Sequence, residues 1–490
     1  MRKLTKTLSF ALILTLVLSI FQLPVARAAD QSYQTEPSTW AAEDVQMAYY
    51  YGLIDDSFLN DFIKGITREE SLILCDALYE KLSGKALSKS SKNPFKDTSS
   101  AAVLKAYTIG LAKPDSKGKI NPNAKINKGE ALLTVYNTIK AVNPGLKAAK
   151  DIKLTAKDTA SLKEPLLSAV KYLYSKGIIK GGKGNLGLKA ACTRQEFISI
   201  AKRTYDLVMR ESGKASKGLF YKVAGGKSTV YILGSIHIAD ASIYPLNQCI
   251  EDAYSKADYL AVEANIKPSN EELLYLQQMA VYTNGDTIDK HISAETYKAF
   301  SEVMKKYGLT KQQYDMFKPW YAGLLAQNLG VSTGTEVTGN LGPDMYFLSK
   351  GDKKVLELEG IKFQVDMLNG FSTDLQEGFL AGSLEATETE NSGTAGAEEI
   401  KKMLAAWKNG DLNEIQGVEN SEDEPESIKE FNDKFWNERN LNMAEKVKGF
   451  ANDKSGKTYF VVFGAGHLTG DTGVIKTLES QGYKVEQILK

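Results

Sequence analysis

The chain has 490 residues, 43% hydrophobic and 25% charged, enough for two or three folded domains with ordinary cores. Its 61 basic and 60 acidic residues leave a formal net charge of +1, so the charge balance gives no support for a nucleic-acid partner. With only three histidines, His237, His291 and His467, any imidazole chemistry must draw on that short list.

The first element is a targeting signal. Arg2, Lys3 and Lys6 precede an apolar run from Leu8 to Leu23, and Ala26-Arg27-Ala28 is a small-x-small cleavage site. This reads as a secretory signal peptide over residues 1–28, cut after Ala28. No later stretch is apolar enough to span a bilayer, so the mature chain is expected outside the membrane without a transmembrane span. Cys75, Cys192 and Cys249 are odd in number and lack metal-type spacing. They read as small buried hydrophobes, with a Cys75–Cys192 bridge as the alternative.

Residues 29–211 repeat one pattern three times. A helix ends at a Gly-apolar break, a polar loop follows, and a Thr-Arg-x-Glu-like tetrad opens a second helix. The breaks are Gly52-Leu53, Gly110-Leu111 and Gly177-Ile178. The tetrads are Thr67-Arg68-Glu69-Glu70, Asn127-Lys128-Gly129-Glu130 and Thr193-Arg194-Gln195-Glu196, spaced by 60 and 66 residues. An N-cap with a carboxylate three residues later is a capping box. Capping accounts for Thr and Glu but not for the Arg. The stretch resembles S-layer homology repeats. That resemblance implies an all-α, pseudo-threefold unit that binds secondary cell-wall polysaccharide and holds the protein on the wall. It also implies that the tetrad cation lies at the glycan site: Arg68 and Arg194 match, whereas Lys128 keeps only the charge.

A small, polar linker over residues 212–218 leads to a domain over residues 219–490. Leu219 to Val223 and Ser228 to Leu233 read as a hairpin. An amphipathic helix with Leu246, Ile250, Ala253 and Ala257 on one face follows, then strands at Tyr259–Val262, Lys354–Leu358 and Tyr459–Phe463. A helix from Gly473 to Gln481 and a strand from Tyr483 to Ile488 close the chain. Alternating strands and helices predict an α/β fold, a sheet flanked by helices. Residues 385–399, rich in Gly, Thr and Glu, read as a flexible insertion.

The polar residues at strand ends carry the functional signal. His237, Glu263, Glu359 and His467 each follow an apolar strand at its carboxyl end, where sites gather in α/β sheets. Both histidines stand in a Gly-x-x-His pattern. Imidazoles and carboxylates together suit a divalent Zn, Mn or Co ion, or general acid–base work. Glu357 is the alternative carboxylate, and His291 reads as a surface residue. On a helix from Asn432 to Phe450, Trp436, Met443, Val447 and Phe450 form an inward stripe that includes Arg439 and Asn440. An inward Arg needs an anionic partner.

As a set, Leu233-Gly234-Ser235-Ile236-His237, Val262-Glu263, Leu358-Glu359 with Gln364, Glu438-Arg439-Asn440 and Gly464-Ala465-Gly466-His467-Leu468 resemble the TraB/GumN group, related to Tiki-type metalloproteases. Ser235 stands where that family often has Thr. The resemblance implies metal-dependent hydrolysis of a peptide or other acyl substrate, with Mn or Co favoured. Under that reading His237 and His467 hold the metal with Glu263 or Glu359, the remaining glutamate is the base, and Arg439 with Asn440 stabilises the oxyanion. The alternatives are a metal-independent esterase-like hydrolase and a non-catalytic surface module for haem or peptide.

Overall fold

The computed structural model describes residues 35–489 except 148, 150–151, 183, 266–267, 332–336, 389–391 and 416–424, so the expected signal peptide lies outside the described residues. The fold divides into two compact units between Ala215 and Ser216. Among the described residues no helix is long and apolar enough to cross a membrane.

The N-terminal unit is all-helical, with α1 (Thr39–Tyr50), α2 (Arg68–Ser83), α3 (Ala101–Thr108), α4 (Lys128–Val142), α5 (Leu166–Ser175) and α6 (Arg194–Glu211). Gly52, Gly110 and Gly177 all take left-handed φ, at 65°, 78° and 70°. After each, the next residue's N–H returns to the carbonyl of Ala48, Ala106 or Leu173, which closes the first helix of the repeat. All three tetrads form complete capping boxes. The second helices α2, α4 and α6 pack on one another, and each takes as partner the first helix of the following repeat. For α6 that partner is α1, so the series closes on itself. There Tyr51 donates to Asp206, while Lys202 lies 2.9 Å from Asp206 and 3.5 Å from Asp44.

The pseudo-threefold order is clearest at the backbone. Ile66 N–H donates to the Cys192 carbonyl, Cys192 N–H to Ile126, and Ile126 N–H to Ile66, a closed ring at 2.9, 3.0 and 3.2 Å. Cys192 thus occupies the position that isoleucine fills in the other two repeats. Cys75, Cys192 and Cys249 are all free, the first two buried. The tetrad cations make a second ring. Arg68 donates to Glu130 Oε1 at 3.0 Å, Lys128 Nζ lies 2.7 Å from Glu196 Oε1, and Arg194 donates to Glu70 Oε1 at 2.5 Å. In each glutamate the other oxygen accepts the N–H of its own N-cap. One carboxylate therefore caps its own helix and binds the neighbouring repeat, which supplies the reason for the Arg that capping leaves unexplained. Arg194→Ala, which strips the half-buried Glu70 Oε1 of its cation, should destabilise this unit by about 1–3 kcal/mol in chemical denaturation.

Asp76 on α2 is buried, and neither carboxylate oxygen has a hydrogen-bond partner. Burial pushes its pKa up to about 8; nearby Lys105 opposes the shift and Glu80 adds to it. In the unfolded chain the carboxyl ionises near its usual value, so the folded unit loses stability as pH rises from about 4 towards 8. Asp76→Asn should therefore raise the melting temperature at pH 7.5 and leave it nearly unchanged at pH 4.

The C-terminal unit begins at Ser216, whose N–H donates to the Pro245 carbonyl, so the end of the expected linker is already part of this fold. Its strands are β1 (Leu219–Ala224), β2 (Thr229–Ser235), β3 (Tyr259–Val262), β4 (Lys354–Glu357), β5 (Thr458–Gly464) and β6 (Lys484–Gln487). They form one mixed sheet in the order β4-β3-β5-β2-β1-β6. The β1–β2 hairpin and the edge strand β6 are antiparallel, whereas β2, β5, β3 and β4 run parallel. The longer flanking helices are α7 (Gln248–Lys256), α8 (Asn270–Ala280), α9 (Ala294–Lys306), α10 (Pro319–Val331), α11 (Pro343–Lys350), α12 (Ile361–Asn369), α13 (Thr373–Glu388), α14 (Ser392–Asn409), α15 (Glu438–Asn452) and α16 (Val474–Ser480). The expected flexible insertion at 385–399 is corrected. Its described residues belong to α13 and α14, because Glu, Ala and Lys around them favour helix more than Gly and Thr oppose it.

Candidate active site

The four strands that bear candidate residues run parallel, so their carboxyl ends share one edge of the sheet. Ser235 pairs with Gly464, and Val262 with both Val462 and Glu357, which sets those ends nearly level. The two Gly-x-x-His segments pack against each other. A Cβ on Gly234 would stand 2.5 Å from Leu468 and 3.2 Å from the Ala465 Cα, and one on Gly466 2.5 Å from the Trp436 ring. Close approach is what these glycines permit.

His237 is buried at 1% exposure, and its Nδ1 lies 3.0 Å from Asp344 Oδ1. A carboxylate only accepts, so Nδ1 carries the hydrogen and Nε2 is left with no protein partner. Burial alone would lower the His237 pKa, but the Asp344 charge and hydrogen bond, then the Glu263 charge, raise it above its usual value. Burial would raise Asp344, yet His237 and the Ser235 hydroxyl hold it low. Serine supplies the same hydroxyl that threonine would.

His467 is held differently. Its Nδ1 lies 2.6 Å from Asn440 Oδ1, and its Nε2 also has no hydrogen-bond partner. Thr472 donates to Asn437 Oδ1 and accepts from Asn440 Nδ2, which turns the Asn440 oxygen towards the imidazole. Burial, then the Arg439 and His237 charges, push the His467 pKa well below its usual value, so this ring is neutral. Its ring edge packs on Trp436 at 4.9 Å.

Glu263, fully buried, accepts from Gly464 N–H at 2.6 Å and lies 3.6 Å from His467 Nε2. Arg439 donates Nε and Nη2 to Glu359 at 2.9 Å each, and Nη2 also reaches Glu263 at 3.3 Å. Gln364 Nε2 bridges the two carboxylates at 3.3 and 3.5 Å. Burial raises the Glu359 pKa, and Arg439 only partly offsets it. A π-helical turn over Asn432–Asn437 precedes α15 and keeps Phe435, Trp436, Arg439 and Asn440 on one buried face.

The sheet edge thus gathers His237, Glu263, Glu359, Arg439, Asn440 and His467. Arg439 is bound to the two glutamates and Asn440 to His467, so the oxyanion role expected for them meets side chains already engaged. Glu357 stands apart and accepts from Asn265 N–H at 2.6 Å. His291 stacks on Tyr282 and pairs with Asp286, away from the site. Asp344 was not a sequence candidate; Gly342-Pro343-Asp344 looks like an ordinary helix start. Among the described residues no three His, Cys, Asp or Glu side chains are already grouped as metal ligands. Two buried, unpartnered imidazole nitrogens with a carboxylate beside one of them still make a donor set suited to a divalent ion.

Residues 219–487 match the TraB/PrgY/gumN family. Residues 94–132 match the S-layer homology domain, which generally binds cell-wall polysaccharide and implies attachment at the cell surface. The chain is similar to a metalloprotease TIKI homolog of Nematostella vectensis, 24% identical over 219 residues, or 41% of this chain and 46% of that protein. It therefore spans about half the length of that relative.

Proposed function

Because this chain belongs to the TraB/PrgY/gumN family, we propose that it is an exported, wall-attached, metal-dependent hydrolase acting on a peptide or related acyl substrate. The observation that carries the reading is the pair of buried imidazole Nε2 atoms left without a protein partner at one sheet edge. The described similarity to a metalloprotease supports it. A divalent Mn, Co or Zn ion held there would supply Lewis-acid polarisation of a carbonyl and of water. His237 and His467 would hold it through Nε2, with Glu263 as the oxygen ligand. Glu359, fixed by the Arg439 fork and Gln364, would take the proton from the attacking water. Arg439 keeps both carboxylates in register rather than reaching the substrate.

Elemental analysis of the purified chain, with digestion of a peptide library before and after chelation, tests this reading. The expected result is bound metal and chelator-sensitive cleavage; a metal content equal to that of His237→Ala plus His467→Ala overturns it. A second reading is favoured by the Asp344-backed His237, which is also how a general base is held. In that case the domain is a metal-free esterase-like hydrolase, and chelation leaves its rate unchanged.

Wall attachment is assigned to the three-repeat unit through secondary cell-wall polysaccharide, and export to cleavage after Ala28. Arg68→Ala plus Arg194→Ala should abolish retention in a wall pull-down. A melting curve taken alongside separates lost glycan contact from a broken inter-repeat ring. Full retention would remove the tetrad cations from the anchoring account.

A further inference from the structure

We infer that Asp344 is a positioning residue of this site, fixing His237 in the Nδ1–H tautomer so that Nε2 is bare. The inference deepens the proposed function and rests on it only for what Nε2 binds. Three observations point to a built contact. Asp344 is 1% exposed, and its Oδ1 accepts from both polar members of the first Gly-x-x-His segment, Ser235 and His237. It occupies the second position of α11, after Gly342 as N-cap and Pro343. Proline needs no N–H there and its fixed φ suits the first helical position, so the start of α11 that carries Asp344 is well defined. A Cβ on Gly342 would stand 2.5 Å from the His237 carbonyl oxygen and 2.9 Å from its carbon. The start of α11 is therefore docked on the backbone of the residue that Asp344 holds.

The geometry makes opposite demands on the three histidines. Asp344 and Asn440 accept at Nδ1 of His237 and His467, whereas Asp286 accepts at Nε2 of His291, 2.8 Å away. Free imidazole prefers the Nε2–H form, so His291 is an internal reference. An outer partner of this kind also makes the opposite nitrogen a better donor, and its loss commonly costs about 10- to 100-fold in metal affinity.

The test is a long-range ¹H–¹⁵N spectrum of the full chain labelled at histidine, recorded at alkaline pH where the rings are neutral. In the wild type His237 and His467 should report Nδ1–H and His291 Nε2–H. Asp344→Ala should move His237 alone towards Nε2–H and weaken Mn(II) binding by calorimetry about 10- to 100-fold. Asp344→Asn keeps the volume and one acceptor and should hold the Nδ1–H form; an unchanged His467 signal certifies the fold in both variants. A wild-type His237 in the Nε2–H form, or one unmoved by Asp344→Ala, overturns the inference. If the tautomer shifts as expected while Mn(II) binds neither protein, the positioning role stands and the metal reading falls.

Discussion

His467→Ala is expected to cut peptide hydrolysis by at least about a thousandfold and to remove bound metal, with the fold intact. Under the proposed metal-dependent reading, that rate loss corresponds to the several kcal/mol that Lewis-acid polarisation would contribute. His467 supplies one of the two buried imidazole nitrogens that the described residues leave unpartnered. The structural cost is smaller. Removing the ring strands the Asn440 oxygen and opens space against Trp436, about 1–3 kcal/mol for an orphaned buried acceptor. Metal analysis, the rate on the best library peptide and a melting curve on one preparation check all three. Retained hydrolysis with lost metal would move the chemistry to His237 and Asp344.

Arg439→Ala should do the reverse, with stability as the first casualty. The guanidinium is 1% exposed and pairs with two carboxyl groups that are themselves buried. Burial disfavours its charge, but Glu359 and Glu263 raise its pKa, so it is the cation of a closed cluster. Removing one partner from such a cluster leaves charge uncompensated and costs about 3–5 kcal/mol. Urea unfolding followed by the tryptophan signal should show that loss, and a change below 1 kcal/mol would mean that water or another cation reaches the glutamates. Replacing all three charged members, as Arg439→Met with Glu359→Leu and Glu263→Gln, leaves no uncompensated charge and should recover much of the stability without recovering hydrolysis. The cluster would then be kept for what it does to Glu263 and the site, not for the stability of the fold.

The four strand-end residues were legible because a parallel strand is a short apolar run, and a polar residue just past it can face only the rim. Arg439 and Asn440 were legible from helical spacing, but their partners were not. Nothing local says that an inward Arg at 439 meets Glu359 and Glu263 rather than a substrate, since those contacts span 80 and 176 residues. The π-helical turn that aims the pair inward has no spacing signature of its own. Asp344 was hidden because acidic residues are common in a helix's first turn for reasons of dipole and capping alone. In the repeats, capping boxes were readable from four residues each, whereas the ring of cations needs the repeats already arranged around one axis. In the described residues of 385–399 the helix propensity of Glu and Ala outweighs the Gly and Thr content that reads as a flexible insertion.

The offset pairing in the N-terminal unit joins its first repeat to its last. Since α1 rests on α6, the first described helix of the unit takes its partner from the last repeat, whereas α3 and α5 take theirs from the repeat directly before them. The unit is a bracelet whose clasp lies between its first and final links, fastened where Asp44, Tyr51, Lys202 and Asp206 meet, so loss of the last repeat would leave α1 without its partner.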